Sequence, residues 1–481
     1  MKPLEESIFC PLWDAAKEDP QKPAVIWGAR RISFSQLNIY VNAAVRSLKE
    51  RDIRCGHRAA VVSEISVEAV IVLLGLWRLG AVAVPLNPKL PAQSFNSLVA
   101  SLNIRAVVSS RNALTSGVKF QVPHFEMTDL IVFEHKEMSL SSDEKRIPVS
   151  AHQPAAVVLT SGSSGLPKAA LLTYANFYLN ARGSQACVPL DSNGRWLLSL
   201  PLYHVAGLGI IFRCLLARAA IVIAPGDQFL RLMTDGKITH VSLVSTQLLR
   251  LMAQPDFKKS DALQAVLLGG SAIARNIQSK ALSLGLPIYL SYGLTEMASQ
   301  VATGKLEDVR KPCAKPLPYR EVKVNTDGEI CVRGQTLFQG YLNGPDVILP
   351  VDDQGWFHTG DLGCLDDNGC LSVLGRQDDM FISGGENIHP QEIESAILKI
   401  PSVVQAVVVP KEDPEFGQKP VAFILWENQQ EPWPESKIKE HLLKDLPKFK
   451  LPVVFYPWPL DHSSDGLKLN RSYFKEWVNR K

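Results

Sequence analysis

The sequence predicts a layered α/β protein: a large N-terminal domain of α/β layers with a β-rich subdomain, then a small α+β domain at the C-terminal end. Three observations predict it. From residue 58 to about 291, short β-branched apolar runs alternate with stretches of helical period, the pattern of mainly parallel sheets covered by helices. Between 321 and 375 the pattern changes to short strands paired around turn residues. Beyond 376–379 the chain reads as an independent mixed unit of ordinary domain size. A length of 481 residues exceeds one compact core, and 46% apolar residues can fill more than one. The expected division is 1–376 and 377–481.

Taken in order, Arg58-Ala59-Ala60-Val61-Val62 reads as a strand, 67–79 as a helix ended by Gly80, and 81–85 as the next strand. Later strands are expected at 155–160, 195–200, 220–224, 240–244, 265–268 and 288–291. Ligand loops in such sheets lie beyond the carboxyl ends of the strands, where residues 161, 269 and 292 fall. Glu321-Val322-Lys323-Val324 and Glu329-Ile330-Cys331-Val332 flank Asn325-Thr326-Asp327-Gly328, a hairpin signature. The last unit reads as strand 380–383, helix 391–398, strands 403–409 and 421–425, helix 435–445, strand 453–456 and helix 470–479.

Composition excludes several classes. A net charge of +3 with no basic block offers no nucleic-acid surface. The eight cysteines include no C-x-x-C pair, so neither a zinc site nor a redox dithiol is expected. Several, such as Cys214 in Phe-Arg-Cys-Leu-Leu, read as reduced core residues. Met-Lys-Pro-Leu-Glu-Glu-Ser, with two acids and no apolar run, is not expected to act as a signal peptide. The longest strongly apolar run, 69–77, stops at Arg78, short of the roughly 20 residues that span a bilayer. A soluble cytoplasmic protein is expected.

The most informative stretch is Thr160-Ser161-Gly162-Ser163-Ser164-Gly165-Leu166-Pro167-Lys168. Its glycines permit close backbone approach, successive N–H groups can form an anion nest, and Lys168 adds a charge. Such a loop can wrap a polyphosphate; a Ser/Gly surface loop is the bland alternative. The spacing is not that of a P-loop, and no G-x-G-x-x-G follows a strand. Four further motifs follow in order: Tyr292-Gly293-Leu294-Thr295-Glu296, Thr359-Gly360-Asp361, Gly375-Arg376-Gln377-Asp378-Asp379 with Ser383-Gly384-Gly385-Glu386-Asn387, and Gly466-Leu467-Lys468.

Together these resemble the signatures of the adenylate-forming superfamily, which holds acyl-CoA synthetases, aryl-CoA ligases and adenylation domains. The resemblance spans nearly the whole chain. It implies a carboxylate attacking the α-phosphate of ATP, then a thiol attacking the acyl-adenylate. Thr160, Ser161, Gly162, Ser163, Ser164, Gly165 and Lys168 would hold the phosphates. Glu296 would take part in binding Mg²⁺, and Thr295 would donate to the α-phosphate. Tyr292, with Ser291 and Gly293 beside it, would lie against the adenine. Gly269-Gly270-Ser271 would line the same side. Asp361 and Arg376 would hold the ribose. Lys468 would bridge carboxylate and α-phosphate in the first step. The family usually has Gly-Lys adjacent, whereas Leu467 intervenes here. Asp378 would be the hinge of a mobile C-terminal domain, and Gly384 and Gly385 would line the path of coenzyme A.

For the acyl group, Pro201-Leu202-Tyr203-His204-Val205-Ala206-Gly207 resembles the family segment bordering the acyl pocket, with Gly269 and Ser299 near it. Arg213 sits in an apolar helical run. It either snorkels or caps the helix end, or it faces a second carboxylate on the substrate. This segment, Ser245 to Leu251 and Tyr292 to Ser299 resemble one branch of the superfamily. That branch activates a benzoate ring bearing a succinyl chain, in menaquinone formation. Rival readings are a general aryl- or fatty-acyl-CoA ligase, an enzyme loading a carrier protein in trans, and a non-catalytic relative. The expected partners are ATP, CoA and a small carboxylic acid, with no nucleic acid and no transmembrane segment; a homodimer is left open.

Overall fold

Neighbouring residues of one strand enter different cores, and that alternation builds the layers. In strand Arg58–Val62, Ala59 and Val61 join a central hydrophobic cluster, while Ala60 and Val62 join an outer one. In strand Ala265–Leu268, Ala265 and Leu267 face the central cluster, and Val266 and Leu268 a second outer one. Strands buried on both faces need apolar residues at every position, hence the continuous runs. The computed structural model describes residues 7–111, 113–114, 118, 120–131, 147–160, 168–224, 229–254, 257–270, 273, 275–384, 386–427, 432–459 and 471–480.

Two large sheets sandwich five helices: Pro11–Glu18, Phe34–Glu50, Val67–Leu79, Tyr174–Gln185 and Val205–Ala217. The first sheet is parallel from Pro154–Thr160 through Val82–Leu86, Arg58–Val62 and Ile104–Ser109 to His124–Glu126. Antiparallel strands Lys168–Thr173, Gly340–Asn343 and Asp346–Ile348 extend it. The second is parallel from Ile288–Leu294 through Ala265–Leu268, His240–Leu243, Arg195–Leu197 and Ala220–Ile223 to Pro23–Trp27. Helix Ala92–Ser101 covers the outside of the first sheet, and helices Ser245–Met252 and Arg275–Ser283 that of the second. Helix Val67–Leu79 has its expected ends: Ser66 Oγ accepts from the Ala69 N–H at 3.1 Å, and Gly80 terminates it at φ 79°, a left-handed cap that suits glycine.

The β-rich region is a four-stranded antiparallel sheet of Arg320–Val324, Glu329–Gly334, Phe357–Leu365 and Leu371–Arg376. Its first hairpin turns where expected, with Gly328 at φ 80°. After a 3₁₀ turn at Gln377–Asp379, a three-stranded sheet of Val403–Asp413, Gly417–Trp426 and Phe455–Pro457 follows. Helices Pro390–Ile397 and Glu435–Leu442 cover one face, and Phe474 and Val478 of helix Arg471–Asn479 the other. No helix among the described residues is long and apolar enough to cross a membrane.

Strand ends near the site differ from expectation, and two pairings are added. Strand Ile288–Leu294 continues through Tyr292, because an antiparallel partner, Ser299–Lys305, pairs with it to the end. Thus Tyr292 does not lie beyond the strand. The 160–168 segment joins two antiparallel strands, with Lys168 opposite Thr160. The strand at 195 ends at Leu197. Finally, Cys313 and Cys370 form a disulfide, their Cα atoms 4.9 Å apart. The bridge between Ala314 and Leu371 brings them together, a long-range pairing that spacing does not reveal. Cys55 and Cys364 are exposed, whereas Cys214 is buried as expected.

Candidate active site

Antiparallel register assembles the first part of the site. Asp361 lies directly opposite Arg376 in the β-rich sheet, and Arg376 Nη1 donates to Asp361 Oδ1 at 3.1 Å. Tyr292, on the second large sheet, donates its hydroxyl to Asp361 Oδ2 at 2.6 Å. Burial, then the Asp361 carboxylate, pushes the Tyr292 hydroxyl well above its ordinary pKa, so it stays a donor. Asp361 itself is 9% exposed. Its backbone is anchored: Thr359 Oγ1 accepts from the Asp361 N–H at 3.0 Å and donates to the Ile330 carbonyl at 2.7 Å. Glu329 Oε1 accepts from the Gly360 N–H at 2.9 Å, with Gly360 at φ 69°. A carboxylate offers about four acceptor positions. Tyr292 and Arg376 use two, which leaves capacity for a vicinal diol.

The second part gathers around Glu296, which is 9% exposed in the turn Thr295–Met297. Its Oε1 accepts from the Tyr341 hydroxyl at 2.5 Å. Burial and the Glu296 carboxylate push the Tyr341 hydroxyl up. Tyr341 pairs with Ala170, two residues from Lys168, whose ammonium lies 5.2 Å from the Tyr341 ring centroid. Thus sheet register brings a buried carboxylate, a phenol and an exposed lysine to the loop that follows Thr160. One carboxylate supplemented by phosphate oxygens suits Mg²⁺, so the donor set fits that ion.

Between these parts the backbone is strained. Ala298 and Ser299 have φ of 55° and 119°, a conformation that side chains rarely adopt and that clusters at functional sites. The strand bulges between Tyr292 and Gly293. A Cβ on Gly293 would overlap the Ser299 carbonyl, so only glycine fits. A Cβ on Gly269 would lie 3.1 Å from the Ser291 carbonyl oxygen, and Gly270 has φ 88°. Ser291 Oγ and Thr303 Oγ1 share a hydrogen bond of 2.9 Å.

His204 is the N-cap residue of helix Val205–Ala217, its ring tilted against Tyr203 at 4.6 Å. Three turns of this helix bury Arg213, which is only 2% exposed. The guanidinium neither snorkels nor caps the helix end. It stacks over Trp196 at 5.1 Å, and Gly209 leaves room for its fork. Among the described residues its Nε and Nη1 have no hydrogen-bond partner, and no carboxylate pairs with it. Burial lowers its pKa to about 10.

At the expected hinge, Asp378 lies 3.6 Å from Arg376 Nη2 and is half exposed. The next residue turns the other way: Asp379 Oδ2 accepts from Gln391 Nε2 at 2.6 Å and from Arg471 Nε at 3.1 Å. Arg471 also binds Glu394. Gly384, at φ 57°, donates its N–H to the Phe416 carbonyl at 2.9 Å. Ser161, Gly162, Ser163, Ser164, Gly165, Ser271, Gly385 and Lys468 lie outside the described residues. Sequence reading missed Tyr341, Glu329 and Arg471. Only Glu329 carried a signal, as the first residue after the hairpin turn; the other two are brought in by register and packing.

An aspartate with acceptor positions to spare and the buried carboxylate of Glu296 are groups that a nucleotide-activating site needs, and the chain belongs to the AMP-binding enzyme family. Residues 12–342 match the AMP-binding enzyme domain, and residues 392–461 match the AMP-binding enzyme C-terminal domain. Within it the chain is similar to 2-succinylbenzoate–CoA ligases. It is 36% identical over 420 residues to that of Escherichia coli (strain K12), covering 86% of each chain. To that of Bacillus cereus (strain Q1) it is 29% identical over 454 residues, covering 90% of this chain and 91% of the other. The fold is similar to o-succinylbenzoate CoA synthetase from Bacillus subtilis in complex with its acyl-adenylate intermediate, with a TM-score of 0.85, 27% identity and 98% of both chains covered. In complex with ATP and magnesium ion, the same enzyme matches with a TM-score of 0.81 at 27% identity, over 94% of this chain and 96% of that one.

Proposed function

We propose that this protein is an AMP-forming acid–CoA ligase that converts 2-succinylbenzoate, ATP and CoA to 2-succinylbenzoyl-CoA, AMP and diphosphate. The branch it resembles serves menaquinone formation. The observation that carries the substrate assignment is Arg213, a buried cation without a counter-charge among the described residues. Isolated buried charges are costly unless paired, and a diacid activated at its aliphatic carboxylate retains an aromatic one to pair with it.

In the first step a carboxylate oxygen of the succinyl chain attacks the α-phosphorus and diphosphate departs. Asp361 and Arg376 hold the ribose, Tyr292 fixes Asp361, and Gly269 and Gly270 border the base. Thr160 and Lys168, with the intervening loop, hold the phosphates, and Thr295 donates to the α-phosphate. Glu296, oriented by Tyr341, would hold Mg²⁺, which when bound neutralises phosphate charge. Lys468 supplies a cation between the two reacting groups. In the second step the CoA thiol attacks the acyl carbonyl and AMP departs. His204 and Ser299 border the acyl group, and Gly384 and Gly385 line the thiol's path. Residues 1–376 and 377–481 act as two domains hinged at Asp378. The cytoplasm, which supplies ATP and CoA, is the proposed location, with the enzyme acting as a monomer or a homodimer.

The test is diphosphate release across a panel of carboxylic acids, with and without CoA. 2-Succinylbenzoate is expected to exceed benzoate, fatty acids and 4-oxo-4-phenylbutanoate. Absence of that preference refutes the substrate assignment, and release that never leads to a CoA thioester refutes the ligase.

A further inference from the structure

We propose that Arg320 is a second specificity-determining residue of the acyl site, a buried cation that joins Arg213 in providing the positive field for the aromatic carboxylate. The proposal rests on the reading of the substrate as a diacid. Arg320 opens strand Arg320–Val324, distant in sequence from Arg213, and is 5% exposed. Its fork reaches under helix Tyr174–Gln185 at Gly183, where a Cβ would collide with Nη2. Nε donates to the Pro318 carbonyl at 3.0 Å, and Nη1 donates to the Gln300 carbonyl. Nη2 has no partner.

Two backbone carbonyls account for a donor at this position but not for a full charge. No carboxylate among the described residues pairs with Arg320, nor with Arg213. Helix Tyr174–Gln185, which lies over the Arg320 fork, packs on helix Val205–Ala217, which carries Arg213. Burial first, then Arg213, lowers the Arg320 pKa to about 9. Two like charges withdrawn from water destabilise each other, and an anion placed at them relieves both. The surrounding seam is polar and incompletely satisfied as well. Asn180 Oδ1, Ser184 Oγ and Gln300 Oε1 are buried without partners among the described residues. They sit on the helix that carries Gly183 and on strand Ser299–Lys305, whose first residue borders the acyl site. Strained Ser299 and Gln300, whose carbonyl binds Arg320, are consecutive. This couples the Arg320 fork to the acyl side of the bulge.

The test compares 2-succinylbenzoate with 4-oxo-4-phenylbutanoate, which lacks the ring carboxylate. Wild type, Arg320→Gln, Arg320→Met, Arg320→Lys and Arg213→Leu are assayed by diphosphate release. Both neutral Arg320 variants are expected to raise the diacid KM at least about tenfold, with a far smaller change for the monoacid and little change in kcat. Arg320→Lys is expected to keep most of the diacid preference, because it keeps the charge and loses the fork. If Gln and Lys behave alike, or if the neutral variants depress both substrates equally, the proposal is overturned. Should Arg320→Met not fold, Arg320→Gln, which keeps a donor for the carbonyls, decides the matter. Diacid preference lost in Arg213→Leu but kept in Arg320→Gln removes this inference and leaves the substrate reading. Preference kept in both removes the two together.

Discussion

At residue scale the site depends on who occupies each polar atom. Arg213 has none of the ion pairs that normally accompany a buried guanidinium among the described residues. Arg213→Leu should therefore lower kcat/KM for 2-succinylbenzoate strongly and harm the monoacid far less. Leaving a buried carboxylate unpaired costs roughly 3–5 kcal/mol, less where water enters. Equal loss on both substrates would reduce Arg213 to a stabilising role. Tyr341 makes a second case. Its hydroxyl occupies Glu296 Oε1, and such supporting partners tune metal affinity by about 10- to 100-fold. Tyr341→Phe should raise the magnesium concentration needed for half-maximal diphosphate release by about tenfold or more. An unchanged magnesium titration would separate Tyr341 from the metal.

At element scale, strand pairing decides where chemistry goes. The antiparallel partner Ser299–Lys305 carries strand Ile288–Leu294 past its expected end. It also forces the bulge at which Tyr292 reaches Asp361. Gly293 permits that bulge, since a Cβ there meets the Ser299 carbonyl. Gly293→Ala should lower unfolding stability by more than about 3 kcal/mol, beyond the usual range for an added methyl in a core. Binding of ATP should weaken in the same variant. A denaturation midpoint equal to wild type would contradict the clash. The parallel strands were legible because continuous apolar runs such as Ala265 to Leu268 have few alternatives. Strand Lys168–Thr173 was not, because its run, Ala169 to Leu172, is equally consistent with the start of a helix.

At the scale of the whole molecule, two consecutive aspartates face different partners. Asp378 faces Arg376, the partner of Asp361, whereas Asp379 is held by Gln391 and Arg471. A rotation at this point would leave each side's contacts largely intact. Asp378→Pro, which fixes φ near −65°, should permit adenylation and block thioester formation. Transfer to CoA at near the wild-type rate would displace the hinge from Asp378. Lys468→Ala should show the opposite split, abolishing adenylation while sparing transfer from pre-made acyl-adenylate. Equal loss of both half-reactions would contradict a two-conformation cycle.

What the sequence determined by itself was the layering, the hairpin at 325–328 and the order of the motifs. These follow from local period and from residue types that act over a few positions. Asp361, Arg376, Tyr292 and Glu296 were singled out because their motifs resemble those of a known family, though their mutual contacts could not be. The tertiary structure alone decided that Tyr292 donates to Asp361, that Tyr341 donates to Glu296, that Cys313 meets Cys370, and that Arg213 and Arg320 are both buried without a counter-charge among the described residues. Each depends on register or packing between segments far apart in the chain, and no local pattern encodes which distant partner a side chain will meet.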